Sequence, residues 1–442
     1  MIITEVHADG FRNLEGVLEC ATGINILCGD NAQGKTNWLE AIYVLGNTKS
    51  FRTAALREAL RIGADNRPAG SAILRGQVLR EHLFKEIQLH LEENLKSFYV
   101  NGKRETVVRY LSNLDVLVFC AEEMQIIRGE PSERRRFLDR GIVTLSPTYL
   151  KVLSEYNRVL KQKNVLLKDA QQSERRHRYI DLIEPWNEQL LDYGTHIHNA
   201  RVEYTERLRQ ALRSQLFSER EIDIRYRSSL EQHGDTRRYR ELFQARLQAR
   251  LENEIAAGYA LVGPHRDELE VLIEGLEVSK FGSAGEQRSA LITLDLAQIT
   301  VYNSSFEEYP VFLIDDIDAE LDARRISLLL EHVADKMQVF VSTSKRDIVA
   351  EYQSKAAFRF IQRGRVMTLP AALPKTGTII QPIGIETDEF VRIGDFSATI
   401  ADDNLSMAET PPLTMTALSK ADFEVAPSEF FDDPEDKHRA PF

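Results

Sequence analysis

Alternating apolar and polar positions open the chain as two strands, Ile2 to His7 and Leu14 to Cys20, with Phe11-Arg12-Asn13 between them. An unbroken apolar strand, Ile24 to Cys28, runs into a glycine-containing loop and then a helix from about Thr36 to Leu45 that stops near Gly46. Further strands lead to Val100, where Asn101-Gly102 predicts a two-residue hairpin turn. From about Ser132 to Leu216 the spacing becomes helical. Leu153, Tyr156, Leu160 and Leu167 form one stripe, and Trp186, Leu190, Tyr193, Ile197, Tyr204, Leu208 and Leu212 form another, which predicts two long helices separated near Pro185. Strands are expected again at Ile222 to Arg227, Tyr259 to Val262 and Leu269 to Ile273, followed by a helix from about Gly285 to Val301. Val311 to Ile314 and Val339 to Ser342 read as buried parallel strands. The pattern divides the chain into an α/β lobe at 1–110, a largely helical second lobe at 111–300, a return to the first lobe at 301–375, and an irregular tail at 376–442.

Composition narrows the class. The 442 residues are 43% hydrophobic and 28% charged, and no apolar run approaches the ~20 residues of a membrane span. No membrane association is expected. The N-terminus lacks the basic, apolar and small-residue segments of a secretory signal, so a cytosolic protein is expected. Cys20, Cys28 and Cys120 are widely spaced with no CxxC pair, which indicates neither a disulfide framework nor a zinc site. The net charge of -12 belongs mainly to the tail, where 14 acidic residues face 4 basic ones from Thr376 onward. That composition buries too little apolar surface to offset its ordering entropy, and it predicts disorder. The near-neutral body remains able to bind nucleic acid through a local basic face.

Gly29-Asp30-Asn31-Ala32-Gln33-Gly34-Lys35-Thr36 matches GxxxxGK[ST], directly after a strand and directly before a helix. In that context backbone N–H groups turn inward around phosphates, Lys35 supplies charge for the β- and γ-phosphates, and Thr36 ligates Mg²⁺. ATP with Mg²⁺ is the expected ligand. The strand Val311 to Ile314 ends in Asp315 and Asp316, where Asp315 would hold the metal and Asp316 would orient or deprotonate the attacking water. Thirty residues earlier, Phe281-Gly282-Ser283-Ala284-Gly285-Glu286-Gln287 opens a helix, where Ser283 and Gly285 can present donors to an anion or simply form a helix cap.

This segment resembles the signature motif of ATP-binding-cassette and chromosome-maintenance (ABC/SMC) ATPases, and Ala319-Glu320-Leu321-Asp322 resembles the loop that crosses their dimer interface. The resemblance implies an ATPase head with a mixed sheet, in which Ser283 and Gly285 reach the γ-phosphate held by a second copy, so that ATP drives homodimerisation. Within this class, the motifs that follow occur in order over about residues 1–370 and are similar to those of RecF proteins. They are Phe11-Arg12-Asn13, Lys49-Ser50-Phe51-Arg52-Thr53, the run Gly129 to Asp139, Leu160-Lys161-Gln162-Lys163-Asn164 with Leu166-Leu167-Lys168, and Val262-Gly263-Pro264-His265-Arg266-Asp267. That family implies a nucleotide contact at Arg12, binding to junctions between single- and double-stranded DNA, and cooperation with RecR and RecO in loading recombinase. The helical lobe is too short for a long coiled coil.

Three basic groups are candidates for a DNA face: Arg134, Arg135 and Arg136; Arg175, Arg176 and Arg178; Arg237, Arg238 and Arg240. The competing reading of each is a solvated helix face paired with nearby Glu. Asp316 is one methylene shorter than the Glu of transporter ATPases, and Ser342-Thr343-Ser344 carries no switch histidine, which together predict slow hydrolysis. His265 reads as a structural loop residue. The tail's acidic stretch before Pro441-Phe442 loosely resembles the tip of single-strand binding protein, against the plainer expectation of a solvated tail. The alternatives are a nucleotide-gated scaffold that needs no hydrolysis and, less well matched, a transporter ATPase subunit.

Overall fold

The N-terminal strands close into an antiparallel sheet because every second side chain has a common face to bury. The computed structural model describes residues 1–53, 55–62, 70–93, 95–212, 220–345, 351–352 and 354–367. In it β1 (Ile2–Asp9), β2 (Glu15–Glu19), β4 (Ser71–Arg80), β5 (Leu83–Glu92), β6 (Lys96–Val100) and β7 (Lys103–Glu105) pair in the order β2-β1-β4-β5-β6-β7. Inward residues such as Leu74, Val78, Ile87 and Leu89 pack with α1 (Lys35–Asn47). Asn101 and Gly102 turn β6 into β7 with φ of 49° and 73°, the paired positive values of a type I′ hairpin.

A second sheet has the order β15-β14-β3-β13-β12-β8, built from β3 (Ile24–Cys28), β8 (Val116–Phe119), β12 (Val311–Ile314), β13 (Val339–Thr343), β14 (Ala356–Gln362) and β15 (Arg365–Met367). All its pairings are parallel except β14 with β15. The runs of β8 and β12 are apolar at every position because both faces of the sheet are covered. Val118, Val311, Leu313 and Phe340 enter the core shared with α1 and the first sheet, while Phe119, Phe312, Ile314 and Val341 enter the core of the helical lobe.

That lobe contains α4 (Pro131–Leu145), α5 (Tyr149–Gln172), α6 (His177–Ala211), α7 (Tyr239–Ala257) and α9 (Ala284–Phe306), with a small sheet of β9 (Ile222–Arg227), β10 (Glu268–Ile273) and β11 (Leu276–Glu277). Short helices α2 (Val107–Leu111), α3 (Gln125–Arg128), α8 (Val278–Phe281) and α10 (Ile317–Glu320) connect the parts, and α11 (Ala323–Val333) packs on the parallel sheet. No described helix is long and apolar enough to cross a membrane.

Four expectations change. The break between the long helices lies at Ser173, in extended backbone, and Pro185 sits inside α6. Pro185 and Asp181 are both exposed, so the carbonyl that the proline leaves without an N–H faces water, while Ile183 and Leu190 anchor the flanking turns in the core. Helix α7 went unread, although Tyr239, Phe243, Leu247, Leu251 and Ile255 form a buried stripe at four-residue spacing. Residues 259–262 are a turn beyond α7, whose C-cap is the left-handed Gly258, and not a strand. The lobe boundary at 110/111 is misplaced, since Val116–Phe119 pairs with β12 in the parallel sheet, and α9 runs through the boundary at 300/301. The tail at 376–442 lies outside the described residues.

Candidate functional site

The loop between β3 and α1 is shaped by what presses on it. Gly29 has φ +151° and a Cβ there would lie 2.5 Å from the Ile361 carbonyl oxygen; Gly34 has φ +104° and a Cβ would lie 3.0 Å from Gly364 Cα. Only glycine lets the loop lie this close to the β14–β15 turn. That turn then holds it. Arg363 N–H donates to Gln33 Oε1 (2.9 Å), Gly364 N–H donates to the Gln33 carbonyl (2.7 Å), and Trp38 Nε1 donates to the Gly364 carbonyl (3.1 Å). Asp30, Asn31 and Ala32 form the exposed rim, and Ala32 at φ 62° joins Gly34 in the left-handed region, the backbone habit of anion-binding nests. Lys35 is buried, with Nζ donating to the carbonyls of Gly29 (2.8 Å) and Asp30 (2.9 Å). Its ammonium thus waits inside the loop.

The strand order β3-β13-β12 carries the second half of the site to the first. Thr36 Oγ1 donates to Asp315 Oδ1 at 2.9 Å across 279 residues of sequence. Ser342 Oγ, on the intervening β13, donates to the same oxygen at 2.6 Å and accepts from Asp316 N–H at 2.8 Å. Burial pushes the Asp315 carboxyl up, and the hydroxyls of Ser342 and Thr36 pull it back. Asp316 is raised by burial and by Asp318, with Lys35 opposing, and its backbone is left-handed at φ 50°, ψ 50°. Such a conformation in a non-glycine residue stores strain and persists where surrounding structure fixes it. Thr343 Oγ1 in turn holds Asp318 at 2.7 Å.

Thr36 and Asp315 offer adjoining hard oxygens that suit Mg²⁺, an ion that takes one or two protein oxygens and completes its shell with phosphate and water. No group of three or more His, Cys, Asp or Glu able to hold a metal occurs among the described residues.

Ser283 is the N-cap of α9 in a complete capping box: its Oγ accepts from Glu286 N–H (3.3 Å), and Glu286 Oε2 accepts from Ser283 N–H (2.8 Å). Both bonds stay within the start of its own helix. Gly285 follows in the first turn. Gln287 Nε2 donates to the carbonyls of Val278, Ser279 and Gly282, and Arg288 pairs with Glu320 at 3.1 Å. The first turns of α9 are thereby tied to the end of α10, just beyond Asp316.

Arg12 grips Glu40 with two bonds, Nε to Oε2 at 3.0 Å and Nη2 to Oε1 at 2.8 Å, and donates to the Glu58 carbonyl. Glu40 is fully buried on α1 and also receives Ser50 and Arg52. Glu40 was not singled out from sequence, and Ser342 was read only as the place where a switch histidine is missing, not as a partner of Asp315. A carboxylate inside Trp38-Leu39-Glu40-Ala41-Ile42 was a visible signal for the first; nothing marked the bond made by the second.

The arginine groups sit on different elements. Arg134 is bound by Glu268 (2.7 and 3.0 Å) and donates to the Gly129 carbonyl, so it joins α4 to β10. Arg135 donates to the Asp267 carbonyl, and Arg136 pairs with Glu133. Arg175 and Arg176 stand exposed at the α5–α6 turn, whereas Arg237 pairs with Asp235 at 3.0 Å and Arg238 lies 3.9 Å from Glu241. His265 Nδ1 meets Tyr156 Oη at 2.6 Å, and burial with the nearby Arg266 cation pushes its imidazole down to about 3. It is a neutral packing residue.

A model of the RecF/RecN/SMC N terminal domain matches residues 2–366. The DNA replication and repair protein RecF of Staphylococcus carnosus is 36% identical over 377 residues, covering 83% of this chain and 100% of its own, and that of Geotalea uraniireducens is 34% identical over 78% and 93%. The chain belongs to the RecF family. Among solved structures, the recombination mediator protein RecF with ATP matches at TM-score 0.73 and 30% identity over 83% of this chain and 97% of its own; a second RecF structure, described as RecF-ATPrS, also matches at 0.73, with 29% identity over 84% and 98%. The RecF family region thus takes in the phosphate loop, the paired aspartates and the signature segment, and it leaves the tail outside.

Proposed function

We propose that this RecF-family chain is an ATPase of DNA replication and repair that binds ATP with Mg²⁺, dimerises around it, and holds junctions of single- and double-stranded DNA in cooperation with RecR and RecO. The observation that carries the reading is the 2.9 Å bond between Thr36 and Asp315 beside the buried Lys35, which supplies in one place the hydroxyl, carboxylate and ammonium that a magnesium nucleotide needs.

In this reading Lys35 leaves the Gly29 and Asp30 carbonyls to meet the β- and γ-phosphates, and loop N–H groups from Asp30 to Thr36 take the phosphate oxygens. Thr36 and Asp315 are the metal's protein ligands, and the metal neutralises charge on the phosphates when bound. Asp316 holds the attacking water by its carboxylate, and its raised affinity for a proton suits a base. Ser283 and Gly285 serve the site of a second copy, and the capping box fixes Ser283 at the start of α9. Arg12, positioned by Glu40, contacts the nucleotide.

Sedimentation with and without ATP and Mg²⁺ tests this. The expected result is a dimer that requires both and disappears in Lys35→Met, which loses nucleotide, and in Ser283→Arg, which keeps nucleotide but blocks the second copy. A monomer under all conditions would refute the shared site. Asp316→Asn should accumulate as the ATP-bound dimer, and full repair activity in that variant would favour the scaffold reading.

A further inference from the structure

Two residues of the phosphate loop have left-handed backbone, Ala32 at φ 62° and Gly34 at φ 104°, and Gln33 lies between them. Left-handed backbone is unfavourable for alanine, so the loop needs an outside partner to keep this shape. The partner is the turn between β14 and β15. Arg363 at φ 49° and Gly364 at φ 82° make a two-residue turn closed by the Gln362–Arg365 pair. Both of its N–H groups go to Gln33: Arg363 N–H to Oε1 (2.9 Å) and Gly364 N–H to the main-chain carbonyl (2.7 Å).

A trans peptide is planar, with its C=O and N–H pointing in opposite directions. With the Gln33 carbonyl fixed on the turn, the Gly34 N–H of the same peptide is directed away from the turn. Gly34 is buried, and among the described residues this N–H has no acceptor, which leaves it for a ligand. Flipped over, the peptide would instead offer its carbonyl, the negative end, to a phosphate. The turn is itself fastened on two sides. Trp38, fully buried on α1, donates Nε1 to the Gly364 carbonyl at 3.1 Å, and a Cβ on Gly364 would overlap the Asn13 carbonyl oxygen. We propose that the β14–β15 turn holds the Gln33–Gly34 peptide in its phosphate-binding orientation, which makes Gly364 and Trp38 positioning residues for the nucleotide, acting through Gln33. This deepens the ATP-binding reading above and rests on it.

Three variants loosen the contact by different routes. Gly364→Ala drives a Cβ into Asn13 and lifts the turn from Gln33; Trp38→Phe keeps an aromatic ring and removes the Nε1–H donor. Gln33→Ala, at a half-buried position, removes only the Oε1 acceptor. Calorimetry with ATP and Mg²⁺ should show Kd raised about tenfold in Gly364→Ala and about threefold in each of the other two, with the binding stoichiometry unchanged. In steady-state hydrolysis KM should rise in step while kcat stays within about twofold, the signature of lost binding that ground and transition states share. A merely structural role would give the other pattern, fewer binding-competent molecules and a lower melting midpoint with Kd unchanged, and that pattern overturns the proposal. So does Gly364→Ala or Trp38→Phe protein that is folded by circular dichroism and binds ATP as tightly as the unaltered chain. If neither folds, Gln33→Ala decides alone, and an unchanged Kd there overturns the proposal. An unaltered chain that binds no ATP would overturn the nucleotide reading and this one together, whereas tight binding by both the unaltered chain and the variants overturns this one only.

Discussion

The phosphate loop and the helical lobe both collect positive charge, and they handle it in opposite ways. At the loop a single cation, Lys35, is held by two backbone carbonyls and faces no carboxylate among its hydrogen-bond partners, so its charge stays available to a ligand. In the lobe, Arg201, Arg134 and Arg136 each meet an acid from a neighbouring turn or element. Arginine there mostly joins helices and strands to one another, and density of Arg in sequence is a poor guide to where charge remains for a partner.

The contrast breaks most sharply at Arg201. Its guanidinium is buried, bound twice to Asp139 and once to the Pro264 carbonyl, and the Asp139 charge holds it firmly protonated against the cost of burial. Arg201→Ala leaves the Asp139 charge buried without its partner and should lower unfolding stability by about 3–5 kcal/mol, read by urea denaturation. ATP binding per molecule of folded protein should not change. Lys35→Met should show the reverse, with stability nearly kept and nucleotide affinity down about 100-fold by calorimetry, since only the ligand uses that ammonium. A destabilised Lys35→Met protein would show that the carbonyl contacts of Lys35 matter to the fold.

The same contrast explains what was legible in the sequence. The spacing from Gly29 to Thr36 implied a loop geometry because few backbones can present so many N–H groups to an anion, and Asp315 followed from an apolar strand that ends in acid. Both faces of the parallel sheet are buried, and its strands announced themselves as apolar runs. What the pattern did not reveal was set by distant partners. Glu268 claims Arg134 from 134 residues away, and Ser342 reaches Asp315 from the next strand. Helix α7 escaped because its single buried residue per turn is diluted by Arg, Gln and Glu, and the break assigned to Pro185 failed because an exposed proline leaves its orphaned carbonyl to water.

Arg134 offers a smaller test on the same axis. Its side chain is 12% exposed and Glu268 21%, so the pair is partly screened, and Arg134→Ala should cost about 1–2 kcal/mol of stability. DNA affinity and its salt dependence should be unchanged when measured on protein kept below its melting range. A weaker affinity with intact stability would return Arg134 to the DNA face.

Arg237 should give the least effect of all. Its side chain is 90% exposed and it pairs with Asp235, two residues away, which also caps the same turn by accepting from Arg237 N–H. An exposed pair of this kind contributes little to the fold, so Arg237→Ala should leave the melting midpoint where it was. Asp235 stands beside the guanidinium and would repel any phosphate that approached it. The plot of log affinity for DNA against log salt should therefore keep its slope in Arg237→Ala, whereas loss of a real phosphate contact would make it shallower by about one. A shallower slope would mean that Asp235 yields its partner to DNA, and that the 235–238 turn is part of the binding face after all.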